Sequence, residues 1–436
     1  MSPVEFTALF FGAMFLCLAA GVPIAIALGG LSSILVFFFW GPQALTMLAL
    51  NAFGSTSSFE YLAIPLFVFM ANVLERSGIA EDLYTTMYRF FGSVRGGLAA
   101  GTVGICTIFA AMAGVSGAAT VSMGIIALPA MLSRGYSKGI AIGSIAAGGS
   151  LGILIPPSVT MIVYGLVSNT SVGRLYAAGL LPGLLLAALF VAYILIRSHL
   201  QPHHAPLPPN ERKFTWSERL SSLKGLIFPI LLVVAVLGSI LSGIASVSEA
   251  AAVGAAGSIV AALLNRGFVW PMFREAAERT LLLSCLIFWI VIGASAFSTL
   301  YTAMGASSLI QGMVLGWEVD RYVVLVMMMF ILLLLGMVID TVGIIMITAP
   351  IFVPIVVALG FDPVWFGILF IINMEIGFLT PPFGYNLFYL RGVAPPEVTM
   401  GDIYKSVFPF VLLMLLGLGI CVVFPEIILV LPRMLF

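Results

Sequence analysis

Two stretches place a proline pair inside an otherwise apolar run: "GILIPPSVTMIVYG" (152–165) and "GFLTPPFGYNLFYL" (377–390). Proline lacks a backbone N–H and clashes with the preceding turn, so a Pro-Pro pair ends a helix. The residue before it is pushed toward extended geometry. Within a bilayer each carbonyl freed in this way costs several kcal/mol unless it finds a partner. A bound cation can be that partner, and the N–H groups of the resumed half-helix suit an anion. A break therefore offers carbonyls to a cation such as Na⁺ and amides to a carboxylate.

The side chains near the breaks fit small-ion chemistry. Ser150, Gly152, Pro156, Pro157, Ser158 and Thr160 surround the first; Gly377, Thr380, Pro381, Pro382 and Gly384 surround the second. Two other segments add "AGVSGAAT", with Ser116, Gly117 and Thr120, and "VIDTVG", with Asp340, Thr341 and Gly343. Hydroxyls and carbonyls are hard oxygen ligands, and glycine lets backbone approach closely. Small residues are also ordinary packing material between membrane helices, so the grouping carries the reading rather than any single member. Acids are more informative inside a membrane. Asp340 is the only charged residue between Arg321 and Asp362, and Glu375 the only one between Asp362 and Arg391. Asp340 reads as functional, whereas Glu375 fits a site or a packing hydrogen bond equally. Ser246 and Glu249 match a capping box at a helix start, a structural role.

The elements that must position these residues are membrane helices. Of 436 residues, 61% are hydrophobic and 8% charged, with mean hydropathy +1.19. A soluble domain carries roughly 25% charged residues. The apolar runs are continuous and lack the alternation of barrel strands, so the fold class is an all-α polytopic membrane protein. A net charge of zero gives no pointer to nucleic acid. The first basic residue is Arg76, so the basic start of a signal peptide is missing. Cys17, Cys106, Cys285 and Cys421 stand alone in apolar segments and read as packing, with no disulfide or metal. His199, His203 and His204 fall in a Pro-rich polar segment and read as a solvated linker, not a metal site. With no HExxH and no histidine within the apolar segments, the chain does not read as an enzyme.

Apolar runs place crossings near 4–21, 23–39, 57–75, 139–170, 175–196, 225–242, 247–265, 277–300, 363–390 and 404–432. The runs 96–133 and 322–361 are too long for one crossing and read as helical hairpins that re-enter on their starting side. Two full crossings joined by a tight turn would leave the flanking topology unchanged. With the central linker cytoplasmic, Arg76, Arg89, Arg95, Arg134, Lys138, Arg197, Arg212, Lys213, Arg219, Lys224, Arg266, Arg274, Arg279, Arg391 and Lys405 share that side. Only Arg174, Arg321 and Arg433 fall outside, a decisive positive-inside bias.

The proline pairs belong to a longer self-similarity. A shift of 225 lays Pro129 on Pro354, Gly135 on Gly360, Gly152 on Gly377, Pro156 and Pro157 on Pro381 and Pro382, and Tyr164 on Tyr389. A three-residue insertion then brings Gly173 to Gly401 and Tyr176 to Tyr404. The expected organisation is a first repeat over 1–197, with its hairpin at 96–133 and broken helix at 139–170. A cytoplasmic linker, 198–224, leads to a second repeat over 225–436, with hairpin 322–361 and broken helix 363–390. Five crossings plus one hairpin per half turn the second repeat upside down, a secondary-transporter signature with sites at the midplane.

Over almost its whole length the chain resembles the large membrane subunit, DctM-like, of tripartite ATP-independent periplasmic (TRAP) transporters. The motifs are "AIPLFVFMANVLERSGIAEDL" (63–83), "GGSLGILIPPS" (148–158), "SVGRLYAAGLLPG" (171–183), "SEAAAVGA" (248–255), "GMVIDTVGIIMITAPIFVP" (336–354) and "IGFLTPPFG" (376–384). The resemblance implies a scaffold plus a transport domain moving elevator-fashion in a bacterial inner membrane. It implies Na⁺-coupled uptake of an organic acid, a dicarboxylate or sialic acid among others, delivered by a periplasmic substrate-binding protein. It also implies a separate four-helix, DctQ-like small subunit, with no organic cofactor. The hairpin tips around Ser116 and Asp340 and the two Pro-Pro breaks match the family's substrate and Na⁺ region. Proton coupling through Asp340 or Glu375 and a stand-alone carboxylate carrier needing no binding protein are the open alternatives. A channel, which needs a continuous lined pore, fits two inverted sites less well.

Replacing both Pro156 and Pro157 by Ala is expected to straighten the first break and weaken the Na⁺ dependence of uptake. An unchanged Na⁺ response in proteoliposomes would reduce the break to a packing kink.

Overall fold

A computed structural model of the chain describes residues 2–114, 116–207, 214–265, 269–316 and 319–436. Arg212, Lys213 and Arg266 of the positive-inside argument, and the middle of the linker, lie outside the described residues. Among the described residues the chain is helical, with no strand.

Its first part runs α1 (Pro3–Ala19), α2 (Ile24–Trp40), α3 (Leu45–Thr56), α4 (Ala63–Arg76), α5 (Ile79–Phe91), α6 (Gly97–Ala113), α7 (Ser116–Leu132), α8 (Lys138–Ser150), α9 (Val159–Ser168) and α10 (Val172–Leu200). A short α11 (Trp216–Ser222) follows. The order then recurs as α12 (Lys224–Leu241), α13 (Val247–Asn265), α14 (Trp270–Ala303), α15 (Ala306–Leu315), α16 (Arg321–Gly336), α17 (Thr341–Ala358), α18 (Pro363–Leu379), α19 (Tyr385–Val393) and α20 (Met400–Val423), closed by α21 (Glu426–Leu435). The single α14 stands where α3 and α4 stand in the first series. Matching left-handed glycines follow matching helices: Gly21 and Gly243, Gly78 and Gly305, Gly135 and Gly360. Glycine is the residue that accepts this C-terminal stop without a Cβ penalty.

Among the described residues six helices are long and apolar enough to cross a membrane, or seven if the bent pair Pro42–Thr56 and Phe59–Arg76 counts as one span. The hairpin regions form helix pairs, α6–α7 and α16–α17. At 1.5 Å per residue the 17-residue arms of the first pair are about 25 Å long, short of the ~30 Å hydrocarbon core, whereas α17 of the second pair is one of the six. Three features differ from the sequence expectation. The expected crossings leave out α3, α5 and α15; in α5, Glu81, Asp82 and Arg89 interrupt the apolar character. The run 404–432 is two helices, since Pro425 ends α20. The run 277–300 extends into α14, whose 34 residues span about 51 Å at helical rise.

Two packed groups result. In one, α14 lies against α2, α3 and α4, and α13 against α4 and α12. Polar pairs fasten it: Asn51 Nδ2 donates to Thr299 Oγ1 at 2.9 Å, Ser55 Oγ to Ser295 Oγ at 3.0 Å and Asn72 Nδ2 to Thr280 Oγ1 at 3.2 Å. Arg76 reaches Glu275 at 3.0 Å. In lipid, where apolar contact gives helices little reason to associate, such bonds contribute about 0.6 kcal/mol each. In the other group α8 sits among α6, α7 and α20, and α18 against α16, α20 and α10. Ile140–Ser150 of α8 and Val364–Leu379 of α18 are buried throughout. The composition of α8 permits this: a Cβ on Gly143 would fall 2.4 Å from the Phe410 ring, and one on Gly148 3.0 Å from Cys106.

The closest backbone approach in the first group is Gly293 of α14 against α2, where a Cβ would lie 2.4 Å from the Ala25 carbonyl oxygen. Gly293→Val is expected to destabilise the protein by about 3 kcal/mol through overpacking and so lower its melting temperature in detergent. Gly30→Ala, whose Cβ meets nothing within 4 Å, is the matched control; equal melting of both variants would contradict this packing.

Candidate functional site

Each break begins where a buried helix runs into its proline pair. In the first, α8 passes through a tight turn at Leu151–Ile153 before Pro156 and Pro157, and α9 resumes at Val159. Ser158 caps α9: its Oγ donates to the Ile153 carbonyl at 2.6 Å and accepts from Met161 N at 3.3 Å. The Tyr176 hydroxyl donates to the Ser158 carbonyl at 3.3 Å. In the second, α18 ends at Leu379, Thr380 Oγ1 donates to Ile376 O at 2.6 Å, and Gly384 precedes α19. Here the Tyr404 hydroxyl donates to the Pro382 carbonyl at 3.0 Å. Both Pro-Pro bonds are cis. The two tyrosines that align across the repeat thus brace the two breaks in the same manner.

The hairpin turns lie against the breaks. The Gly114 carbonyl, at the end of α6, accepts from Val159 N at 3.2 Å, and Gly114 packs on the Pro157 carbonyl. In the second half Gly336 of α16 meets Gly377 of α18 so closely that a Cβ on Gly377 would fall 2.8 Å from its backbone. Asp340 caps α17, its Oδ1 accepting from Val342 N at 2.9 Å and Gly343 N at 3.2 Å. Thr341, next to it, is buried with an unpartnered hydroxyl. A Cβ on Gly343 would meet Ile24 of α2 at 2.8 Å, so this tip touches the other packed group.

The structure joins the two halves through α19. The Tyr389 ring covers Gly117, 3.1 Å from where a Cβ would sit. Tyr389 of the second half therefore lies on the first hairpin tip at Gly117, with its outer side exposed. Thr120 lies deeper, its Oγ1 donating to Asn386 Oδ1 at 2.6 Å. Ser150 Oγ is occupied by the Ala147 carbonyl at 2.8 Å, and Gly152 is buried in the turn of the first break. Ser116, Thr120, Ser150, Ser158 and Thr341 are buried, whereas Pro381 and Pro382 of the second break are exposed.

Glu375 lies in α18 two residues before Gly377, is 0% exposed, and has no hydrogen-bond partner on either carboxyl oxygen. The packing hydrogen bond that its position allowed is not formed. Glu249 instead makes the expected capping box, with Ser246 N donating to its Oε2 at 2.7 Å. Sequence reasoning missed Asn386 as well as the roles of Tyr176, Tyr404 and Tyr389. The tyrosines were visible as repeat anchors, while Asn386 offered only the signal of a lone amide in an apolar run.

A family model described as "Tripartite ATP-independent periplasmic transporter, DctM component" matches residues 11–427. The C4-dicarboxylate TRAP transporter large permease protein DctM of Vibrio cholerae is 34% identical, covering 95% of each chain. The ectoine TRAP transporter large permease protein TeaC of Halomonas elongata is 31% identical, covering 96% of this chain and 97% of its own. Among solved structures, the Alcanivorax borkumensis YdaH transporter superposes with a TM-score of 0.68 over 92% of this chain and 97% of that one. At 16% identity that likeness concerns the fold alone.

A buried carboxyl without a partner opposes folding, and an apolar side chain of similar volume is often neutral or stabilising in its place. Glu375→Met is therefore expected to melt at or above the wild-type temperature. A clear fall in melting temperature would show that the carboxyl holds a partner in the resting protein.

Proposed function

This chain belongs to the DctM family of TRAP transporter large permease subunits, and we propose that it forms the pathway for Na⁺-coupled uptake of a small organic acid. The observation that carries this reading is that hairpin and break meet twice: Tyr389 of α19 covers Gly117 and Asn386 bonds Thr120 of the first hairpin, while Val159 after the first break bonds the Gly114 carbonyl. Carbonyls near the Pro-Pro breaks would bind Na⁺, together with the Ser116, Thr341 and Asp340 oxygens. Amides at the starts of α7 and α19 would meet the carboxylate. Requiring both ligands before the site moves is what would couple them.

The group fastened by α14 supplies a scaffold, and the group built on α8 and α18 the moving part, consistent with elevator-type alternating access. Two inverted repeats, 1–197 and 225–436, would give inward- and outward-facing states of similar energy. The partners of this reading are a DctQ-like small subunit and a periplasmic binding protein, in a bacterial inner membrane. The relatives named for a C4-dicarboxylate, for ectoine and for isethionate, a sulfonate, handle chemically different molecules that share an anionic oxygen group, so the site would read that group and the binding protein would add selectivity. The unpartnered Glu375 favours H⁺ as the alternative coupling ion.

The test is reconstitution with the small subunit and binding protein encoded beside this chain, followed by uptake of labelled succinate or ectoine. Uptake is expected under a Na⁺ gradient without a pH gradient, and undiminished uptake without Na⁺ would sink Na⁺ coupling. Activity of the purified chain alone would favour a stand-alone carrier. Asp340→Asn, which keeps an N-cap residue, is expected to insert normally and lose most uptake; wild-type uptake would remove Asp340 from the site.

A further inference from the structure

Three helices from both halves meet on one side chain. Asn386, the second residue of α19, is fully buried. Its Nδ2 donates to the Ala146 carbonyl of α8 at 2.6 Å, and its Oδ1 accepts from Thr120 Oγ1 of α7 at 2.6 Å. The same Thr120 hydroxyl lies 3.3 Å from the Ser116 carbonyl. It occupies a slot that only glycine leaves open, since a Cβ on Gly149 would fall 1.9 Å from Thr120 Oγ1. An amide engaged at both ends in a low-dielectric interior is a stiff connection, and losing one partner leaves the other buried and unpaired.

The connection exists on one side of the duplication only. Where α17 packs on α9, the counterpart of α7 on α19, no side-chain hydrogen bond joins the two helices among the described residues. Tyr389 lies three residues after Asn386, on the same face of α19, with its ring over Gly117. The rotation and height of α19 therefore decide how Tyr389 lies on the first hairpin tip at Gly117.

We propose that Asn386 is a positioning residue: with Thr120 it forms a strut that registers α19 against the first hairpin, so that the first hairpin tip and the second break assemble together. The proposal rests on the transport reading above for its functional consequence, though not for its geometry. Nothing in the strut needs to touch substrate or ion.

The experiment uses isosteric pairs. Thr120→Val keeps the shape and loses the hydroxyl, Thr120→Ser keeps the hydroxyl and loses a methyl, and Asn386→Leu removes the amide. In reconstituted three-component liposomes the readout is the half-saturating concentration of the driving ion for uptake of succinate or ectoine. Thr120→Val and Asn386→Leu are each expected to raise it roughly tenfold, the cost of one buried hydrogen bond. The double variant is expected to be no worse than either single, because one unit is being broken. Thr120→Ser should stay near wild type, which a packing role would not allow. Additive effects, or a Thr120→Ser defect exceeding that of Thr120→Val, would overturn the strut. Wild-type uptake that proves Na⁺-independent overturns the coupling reading instead, and the same cycle is then read against protons.

A second measurement needs no transport and covers failure of Asn386→Leu to fold. Spin labels at the exposed positions Ile125 of α7 and Phe388 of α19 report the distance between those helices. A single narrow distribution is expected in the Thr120→Ser background and a broadened one in Thr120→Val. Identical distributions would overturn the proposal.

Discussion

A backbone carbonyl freed inside a bilayer must find a donor or a cation, and this molecule frees several by placing proline pairs in two buried helices. Much of the surrounding structure answers that demand. Ser158 and Thr380 return their hydroxyls to the helices that end nearby, and Tyr176 and Tyr404 reach the breaks from neighbouring helices. Val159, the first residue after the first break, gives its N–H to the tip of the first hairpin. The hairpins are thus part of the same hydrogen-bonding solution as the breaks, and neither half of the arrangement stands without the other.

The two halves meet this demand unequally. In the first, α8 has almost no polar side chains and is packed through glycine, with Ser144 and Ser150 each bonded to its own helix. In the second, α18 carries Asn373, bonded to the Met329 carbonyl at 2.6 Å, and the unpartnered Glu375. The unpartnered Thr341 hydroxyl also lies on the second side. Buried unpartnered groups occur in both halves, with Ser32, Ser137 and Ser198 in the first and Ser284, Thr341 and Glu375 in the second.

The helical class, the two breaks and the hairpin pairs were legible because proline and glycine act locally, whatever surrounds them. Pro156, Pro381, Gly135 and Gly360 announce their geometry in the sequence. The capping role of Glu249 was readable for the same reason, as spacing alone brings donor and acceptor together; that of Ser158, read only as a residue beside the break, was not. Asn386 was not readable, because its partners Thr120 and Ala146 lie 266 and 240 residues away. The amphipathic α5 escaped a search for apolar runs, since its charges belong to a surface that only the folded chain defines. Glu375 could be singled out by its charge, but its lack of a partner is a property of three-dimensional packing.

The long α14 has a consequence for how the chain is made. Asn51, Ser55, Asn72 and Arg76 enter the membrane early, yet their partners on α14 are synthesised between 199 and 248 residues later. At about 5–20 residues per second those four side chains wait on the order of ten to fifty seconds among lipids. During that interval the nascent first half is held by the insertion machinery, by water or by lipid headgroups rather than by its final neighbours. Biogenesis is thus paced by the arrival of one helix, and a ribosomal pause between α4 and α14 would lengthen the period in which the unfinished protein is open to degradation.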